Sequence, residues 1–183
     1  MFPWGHLAVG YLSYSLWVRL RYGLPPEGPA VLALIIGTQL PDLIDKPLAW
    51  TFDILPSGRS LGHSLLFAIV LGGGVWIVMQ RYNWNTEAIA FFMGHLSHVV
   101  VDVLPAIRDG MWERLQSILW PIFPVYEYPG ELDRSIFEFL FALDLTSLPL
   151  IGTVLSVISL GLWIYDGKPG IMIFLSIFAR RAA

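Results

Sequence analysis

Five apolar stretches, each close to the roughly 20 residues that a helix needs to cross hydrocarbon, leave few folds open to this chain. They run from about Trp4 to Leu20, Pro29 to Leu43, Gly62 to Gln80, Thr86 to Leu104 and Leu148 to Tyr165. Inside a bilayer every backbone polar group must be satisfied internally, which helices achieve and open strands do not. The expected fold is therefore all-α, an integral membrane bundle of four to six apolar helices. Charge content agrees: 14% of residues are charged and 56% hydrophobic, against roughly 25% charged in a typical soluble domain. Eight tryptophans and seven tyrosines, several at the ends of apolar runs, suit anchoring at the membrane interface.

The first run stops at Arg19 and Arg21 and lacks the basic start and cleavage site of a signal peptide. Pro41 is expected to interrupt the second run. The third carries Gly72-Gly73-Gly74, small residues that permit close helix approach. A short apolar tail, Ile171 to Ala179 before Arg180 and Arg181, is too short to cross and reads as an interfacial helix. Between the fourth and fifth runs, prolines 121, 124 and 129 break regular helix. A partly amphipathic helix is expected over Arg134 to Phe141, and Glu127, Glu131, Asp133 and Glu138 read as a solvated acidic group. No repeat or low-complexity linker divides the chain, so residues 1–183 are expected to form one domain. Its motif-bearing core covers about 4–124 and its C-terminal helices about 134–181.

Net charge is only −3, which argues against nucleic acid as a partner. Without cysteine, disulfides, thiolate metal sites and cysteine nucleophiles are excluded. What remains are histidines and carboxylates in apolar surroundings. All four histidines, His6, His63, His95 and His98, fall in or beside an apolar run. On a helix, His95, His98 and Asp102 lie within roughly 60° of one another. Ionisable groups in such a helix are costly unless paired or bound, so they mark function by default.

The even number of crossings places His6, Asp42, Asp45, His63, His98 and Asp102 at the side where the chain starts, with His95 roughly 13 Å deeper than the end of its helix. Nitrogen and carboxylate donors without sulfur suit zinc, manganese or iron better than calcium or copper(I). Seven candidates exceed the three or four that one zinc ion takes, which fits two ions, or one ion with a supporting shell. Singly, each has a plainer reading: His6 as an interfacial residue, Asp42 as a helix-end residue, His63 as a polar group between helices, Asp45 as the ion-pair partner of Lys46. Arg59 reads equally as a surface anchor or a phosphate clamp. The 95/98/102 face is the hardest to read as structural.

These motifs resemble a known family. Trp4-Gly5-His6, Leu40-Pro41-Asp42-Leu43-Ile44-Asp45, Arg59-Ser60-Leu61-Gly62-His63-Ser64 and Gly94-His95-Leu96-Ser97-His98 followed by Asp102 occur in this order in the YdjM-type membrane-bound metal-dependent hydrolases. The match covers about residues 4–124. More distantly, the chain is similar to zinc-dependent phospholipase C and the S1/P1-type nucleases, all-helical phosphodiesterases with a Leu-Ser-His-x-x-x-Asp helix. The resemblance implicates His6, Asp42, His63, His98 and Asp102 as ligands of a divalent metal, zinc above all. Those enzymes carry further histidines beyond their Asp; this chain has none after His98, so one or two ions are implied rather than three.

The expected function is hydrolysis of a phosphoester on a lipid or membrane-associated substrate, by water that the metal activates. Asp45 is the expected acceptor of the water's proton and Arg59 the group steadying the phosphate. Two alternatives from other classes are a non-enzymatic metal-binding membrane protein, for transport or sensing, and a structural membrane protein with a buried polar network. Metal content separates the second from the others, and turnover separates the first. Arg19, Arg21, Arg81, Lys168, Arg180 and Arg181 gather on the side opposite the candidate site, which points to a multi-pass cell-membrane protein with its site on the extracytoplasmic face. Partners expected are the bilayer and a lipid-linked substrate.

Overall fold

The computed structural model describes residues 2–126, 128, 130 and 150–179. Among these, every regular element is helical: α1 (Pro3–Tyr22), α2 (Gly28–Trp50), α3 (Leu65–Gln80), α4 (Asn85–Arg108), a 3₁₀ helix (Trp112–Leu119), α5 (Leu150–Tyr165) and α6 (Ile171–Ala179). The helix expected over Arg134 to Phe141 and the acidic residues Glu127, Glu131, Asp133 and Glu138 lie outside the described residues. Among those described, α4 is the one helix both long and apolar enough to cross a membrane. Its 24 residues rise roughly 36 Å, against a hydrocarbon thickness of about 30 Å. The apolar helices α3 and α5 have 16 residues each, while α1 and α2, with 20 and 23, bury polar residues along their length.

Local chemistry sets the boundaries. Pro3 opens α1, where a missing N–H costs nothing, and Gly23 closes it with φ 70°, its N–H on the Arg19 carbonyl. The interruption expected at Pro41 does not occur, since α2 runs through Pro41 and Pro47 to Trp50. Each proline removes one helical hydrogen bond, and the packing of α2 on α4 holds the axis across the gaps. Pro105 is absorbed in the same way by α4. Ser64 caps α3 by accepting from the Leu66 N–H, so His63 stands in the turn before the helix instead of opening it.

The closest helix pair is α2 with α4. A Cβ on Gly37 would lie 2.1 Å from the Phe91 carbonyl oxygen, and one on Gly94 would lie 2.6 Å from that of Leu34. Only glycine fits at either position. Helix α1 packs across both, and Tyr11, Tyr14, Val18, Ala30, Val31, Leu34 and Ala90 form the apolar core. Helix α5 runs parallel to α1: the Ser156 hydroxyl faces the Trp4 carbonyl at one end, and Asp166 meets Tyr11, Ser15 and Arg19 at the other. Helix α3 is peripheral and buries only Ala68. Of its three glycines, Gly72 meets the Phe92 ring, whereas Gly73 and Gly74 have no neighbour within 4 Å.

Candidate metal centre

The glycine contacts between α2 and α4 determine what meets one turn further along. Thr38 and Asp42 follow Gly37 on α2, and His98 and Asp102 follow Gly94 on α4. His98 Nδ1 lies 2.6 Å from the Thr38 carbonyl oxygen. A carbonyl only accepts, so Nδ1 carries the proton and Nε2 presents a lone pair. His63 is oriented likewise, with Nδ1 donating to Asp45 Oδ2 at 2.8 Å. The two Nε2 atoms therefore face each other at 3.2 Å.

Asp42 Oδ1 lies 3.6 Å from His98 Nε2 and 3.7 Å from His63 Nε2. Asp102 Oδ2 lies 3.5 Å from His63 Nε2. One ligand atom from each of Asp42, His63, His98 and Asp102 fits within 4.8 Å of all the others. A tetrahedron with bonds of about 2.0–2.1 Å has edges of about 3.3 Å, close to the shorter of these separations. Asp42 Oδ1 is buried without a hydrogen-bond partner among the described residues, which a cation would supply. These four residues can hold a metal ion.

The charges agree. Asp42, Asp45 and Asp102 face two fixed cations, Lys46 on Asp42 and Arg59 on Asp102, so three minus two leaves one negative charge over neutral imidazoles. Burial pushes the His63 imidazole down, but Asp102 and Asp45 outweigh it and hold the group up, at about 9. Without a metal ion a proton occupies this position.

Asp45, expected to accept a proton from water, is fully buried. It accepts from the backbone N–H groups of Ser60, Gly62 and His63 and from the His63 ring. It thereby shapes the loop before α3 and aims His63. Lys46, its expected ion-pair partner, instead reaches back one turn to Asp42.

His6 stacks on the His98 ring, with centroids 3.8 Å apart, and its Nε2 lies 3.3 Å from Asp102 Oδ1. It stands beside the four-atom group. His95 lies a turn deeper in α4, buried, with neither ring nitrogen hydrogen-bonded among the described residues. The structure does not bring it to the group. Arg59 Nε donates to Asp102 Oδ2 at 2.8 Å. A cavity of about 10 Å³, the room of one water molecule, opens among Arg59, His63, Asp102, Arg114, Ser117 and Tyr128. Sequence reasoning missed the Thr38 carbonyl, which carries no side-chain signal. It also missed the entry of Arg114 and Tyr128, which come from the proline-broken segment after α4.

Fold and site together define a class: an all-helical membrane protein with a buried histidine–aspartate cluster, able to bind metal, at one end of its bundle. The pattern of the YdjM inner membrane protein family matches residues 1–179, and the chain belongs to that family. Comparison with curated proteins and with solved structures finds no match.

Proposed function

We propose that this protein is a membrane-bound, metal-dependent hydrolase that cleaves a phosphoester of a lipid or membrane-associated substrate. The observation that carries the reading is the convergence of Asp42, His63, His98 and Asp102 on one point beside the Arg59 guanidinium. The Leu96-Ser97-His98-x-x-x-Asp102 pattern, similar to that of zinc-dependent phospholipase C, supports the phosphoester. Zinc suits the donor set of two imidazoles and two carboxylates. When bound, such an ion lowers the pKa of its water and polarises a phosphoryl oxygen.

The chain's own residues do the rest. Thr38 and Asp45 fix the two imidazoles with their Nε2 atoms inward, so both rings are already oriented for binding. His6 faces the second oxygen of Asp102 and holds that carboxylate in place. Asp45 is assigned to orienting His63, because its oxygens are taken by four donors. Arg59, whose Nε holds Asp102, offers its guanidinium charge to a phosphoryl oxygen. In this reading α1 to α5 cross the membrane, α3 and α5 by tilting little and drawing the bilayer thin, and the site faces the extracytoplasmic side.

The test compares metal-replete wild type with Asp102→Asn, in detergent and in lipid, over a panel of phospholipids and generic phosphodiesters. Wild type should turn over at least one panel member, and the variant should lose both metal and turnover with its helices intact. Absence of turnover by metal-loaded wild type would favour a non-enzymatic metal-binding protein. Equal turnover by the variant would remove Asp102 from the mechanism.

A further inference from the structure

Arg114, on the 3₁₀ helix, belongs to no motif in the sequence, yet it lines the same small cavity as Arg59, His63 and Asp102. Its guanidinium lies over the Tyr126 ring at 5.1 Å and over the Tyr128 ring at 5.3 Å. Arg59 lies over that same Tyr128 ring, at 5.2 Å, and the two tyrosines meet edge to face. Two guanidiniums thus share one aromatic ring at the mouth of the metal site.

Among the described residues, the two guanidiniums there meet a single paired carboxylate. Arg59 is paired with Asp102, a carboxylate already drawn toward the imidazoles. Among the described residues no carboxylate pairs with Arg114, and its Nε is buried without a hydrogen-bond partner. Aromatic contact occupies the faces of a guanidinium and leaves its in-plane N–H donors open. Donors left open beside a like charge, in a cavity shared with metal-binding side chains, are arranged for an oxyanion with several acceptor oxygens.

We propose that Arg114 and Arg59 form a two-arginine subsite for a phosphate-class oxyanion, with Arg114 as the residue that selects it. The proposal rests on the hydrolase reading and narrows it: the substrate carries its anionic phosphate next to the scissile position. Arg59 binds the group at the metal, and Arg114 binds it from the solvent side. The cavity holds about one water molecule, so the arriving phosphate takes over the in-plane donors and the Tyr128 ring gives way.

The experiment uses the full-length, metal-loaded protein and its Arg114→Ala and Arg114→Lys variants. Metal content is measured first. Two probes are then titrated by calorimetry: inorganic phosphate, and a short-chain phosphatidylglycerol below its micelle concentration. Expected is saturable binding of at least one probe to wild type, weakened by about tenfold or more in Arg114→Ala, as for a lost charge-assisted hydrogen bond. Arg114→Lys should be intermediate, because it keeps the charge and loses the fork. Metal content should be the same in all three proteins. Binding of the lipid alone assigns the anion to a headgroup, and binding of both assigns it to phosphate in general. Equal affinity of wild type and Arg114→Ala, or no binding of either probe to wild type, overturns the proposal. Neither result touches the hydrolase reading, which fails separately if the protein holds no metal or the loaded protein has no turnover.

Discussion

Among the described residues the bundle holds two polar clusters, one at each end, and they are built on opposite principles. At the end away from the candidate metal centre, the Asp166 side chain is buried, and its carboxylate accepts from Tyr11 at 2.6 Å, from Ser15 at 3.2 Å and from the Arg19 guanidinium. One acid meets one base and two hydroxyls, so charge and hydrogen bonding both close. At the other end, three carboxylates meet two cations, two imidazole lone pairs face each other at 3.2 Å, and Asp42 Oδ1 has no hydrogen-bond partner among the described residues. The first cluster is complete as it stands and clamps α1 to α5. The second requires a proton or a cation. Burial alone therefore does not mark a site; incomplete satisfaction around a single point does.

This contrast can be broken most directly by Asp102→Asn. The substitution removes a charged ligand at nearly constant size, and metal affinity should fall by more than about 100-fold, beyond what a supporting residue costs. Elemental analysis after dialysis reads the outcome, and an equimolar metal content in the variant would place the ion elsewhere. Asp45→Asn comes next. It keeps a hydrogen-bond acceptor for the loop but loses the charge that aims His63, and affinity should fall by roughly 10–100-fold. An unchanged dissociation constant would reduce Asp45 to a loop residue.

Proton competition should be smaller and graded. His63 is held at about 9 in the metal-free protein, because Asp102 and Asp45 outweigh the downward push of burial. Metal must displace that proton, so apparent affinity should be highest above pH 9 and fall by up to about tenfold per unit below it. The same raised group contributes stability to the metal-free protein that is fully present below the ordinary histidine value of 6.5. That contribution is lost as pH rises through about 9. Metal titrations at several pH values check the first slope and thermal unfolding checks the second. A metal affinity independent of pH between 6 and 9 would contradict the protonated state of His63.

The smallest effect on metal belongs to the opposite end. Asp166→Asn should leave metal affinity unchanged while lowering stability by roughly 1–3 kcal/mol, the usual cost of breaking hydrogen bonds to a buried charge. Thermal unfolding in detergent beside a metal titration separates the two. Lost metal with kept stability would make the two clusters one coupled system.

Much of this protein is legible in its sequence, because the properties concerned are local. Apolar runs separated by glycine, proline and arginine determine where helices form, and the order of the runs alone determines which ends lie together. That parity was enough to gather His6, Asp42, Asp45, His63, His98 and Asp102 at one end, and His98 and Asp102 share a face by helical spacing alone. Only the tertiary structure decided which of these atoms converge. His95 lies on the same helix face as His98, but it is buried about a turn deeper in α4 and outside the group of four. Pro41 reads as a break in sequence, yet α2 continues through it, because packing against α4 outweighs one lost hydrogen bond. Asp45 and Asp42 are three residues apart and chemically identical, and the backbone N–H groups of the loop from Ser60 to His63 bond only the first of them. Arg114 had no signal at all, since a lone arginine in a loop acquires meaning only from what it is folded against. Spacing fixes direction along a helix, whereas a binding site is a matter of distances across helices, and those depend on packing that no single segment encodes.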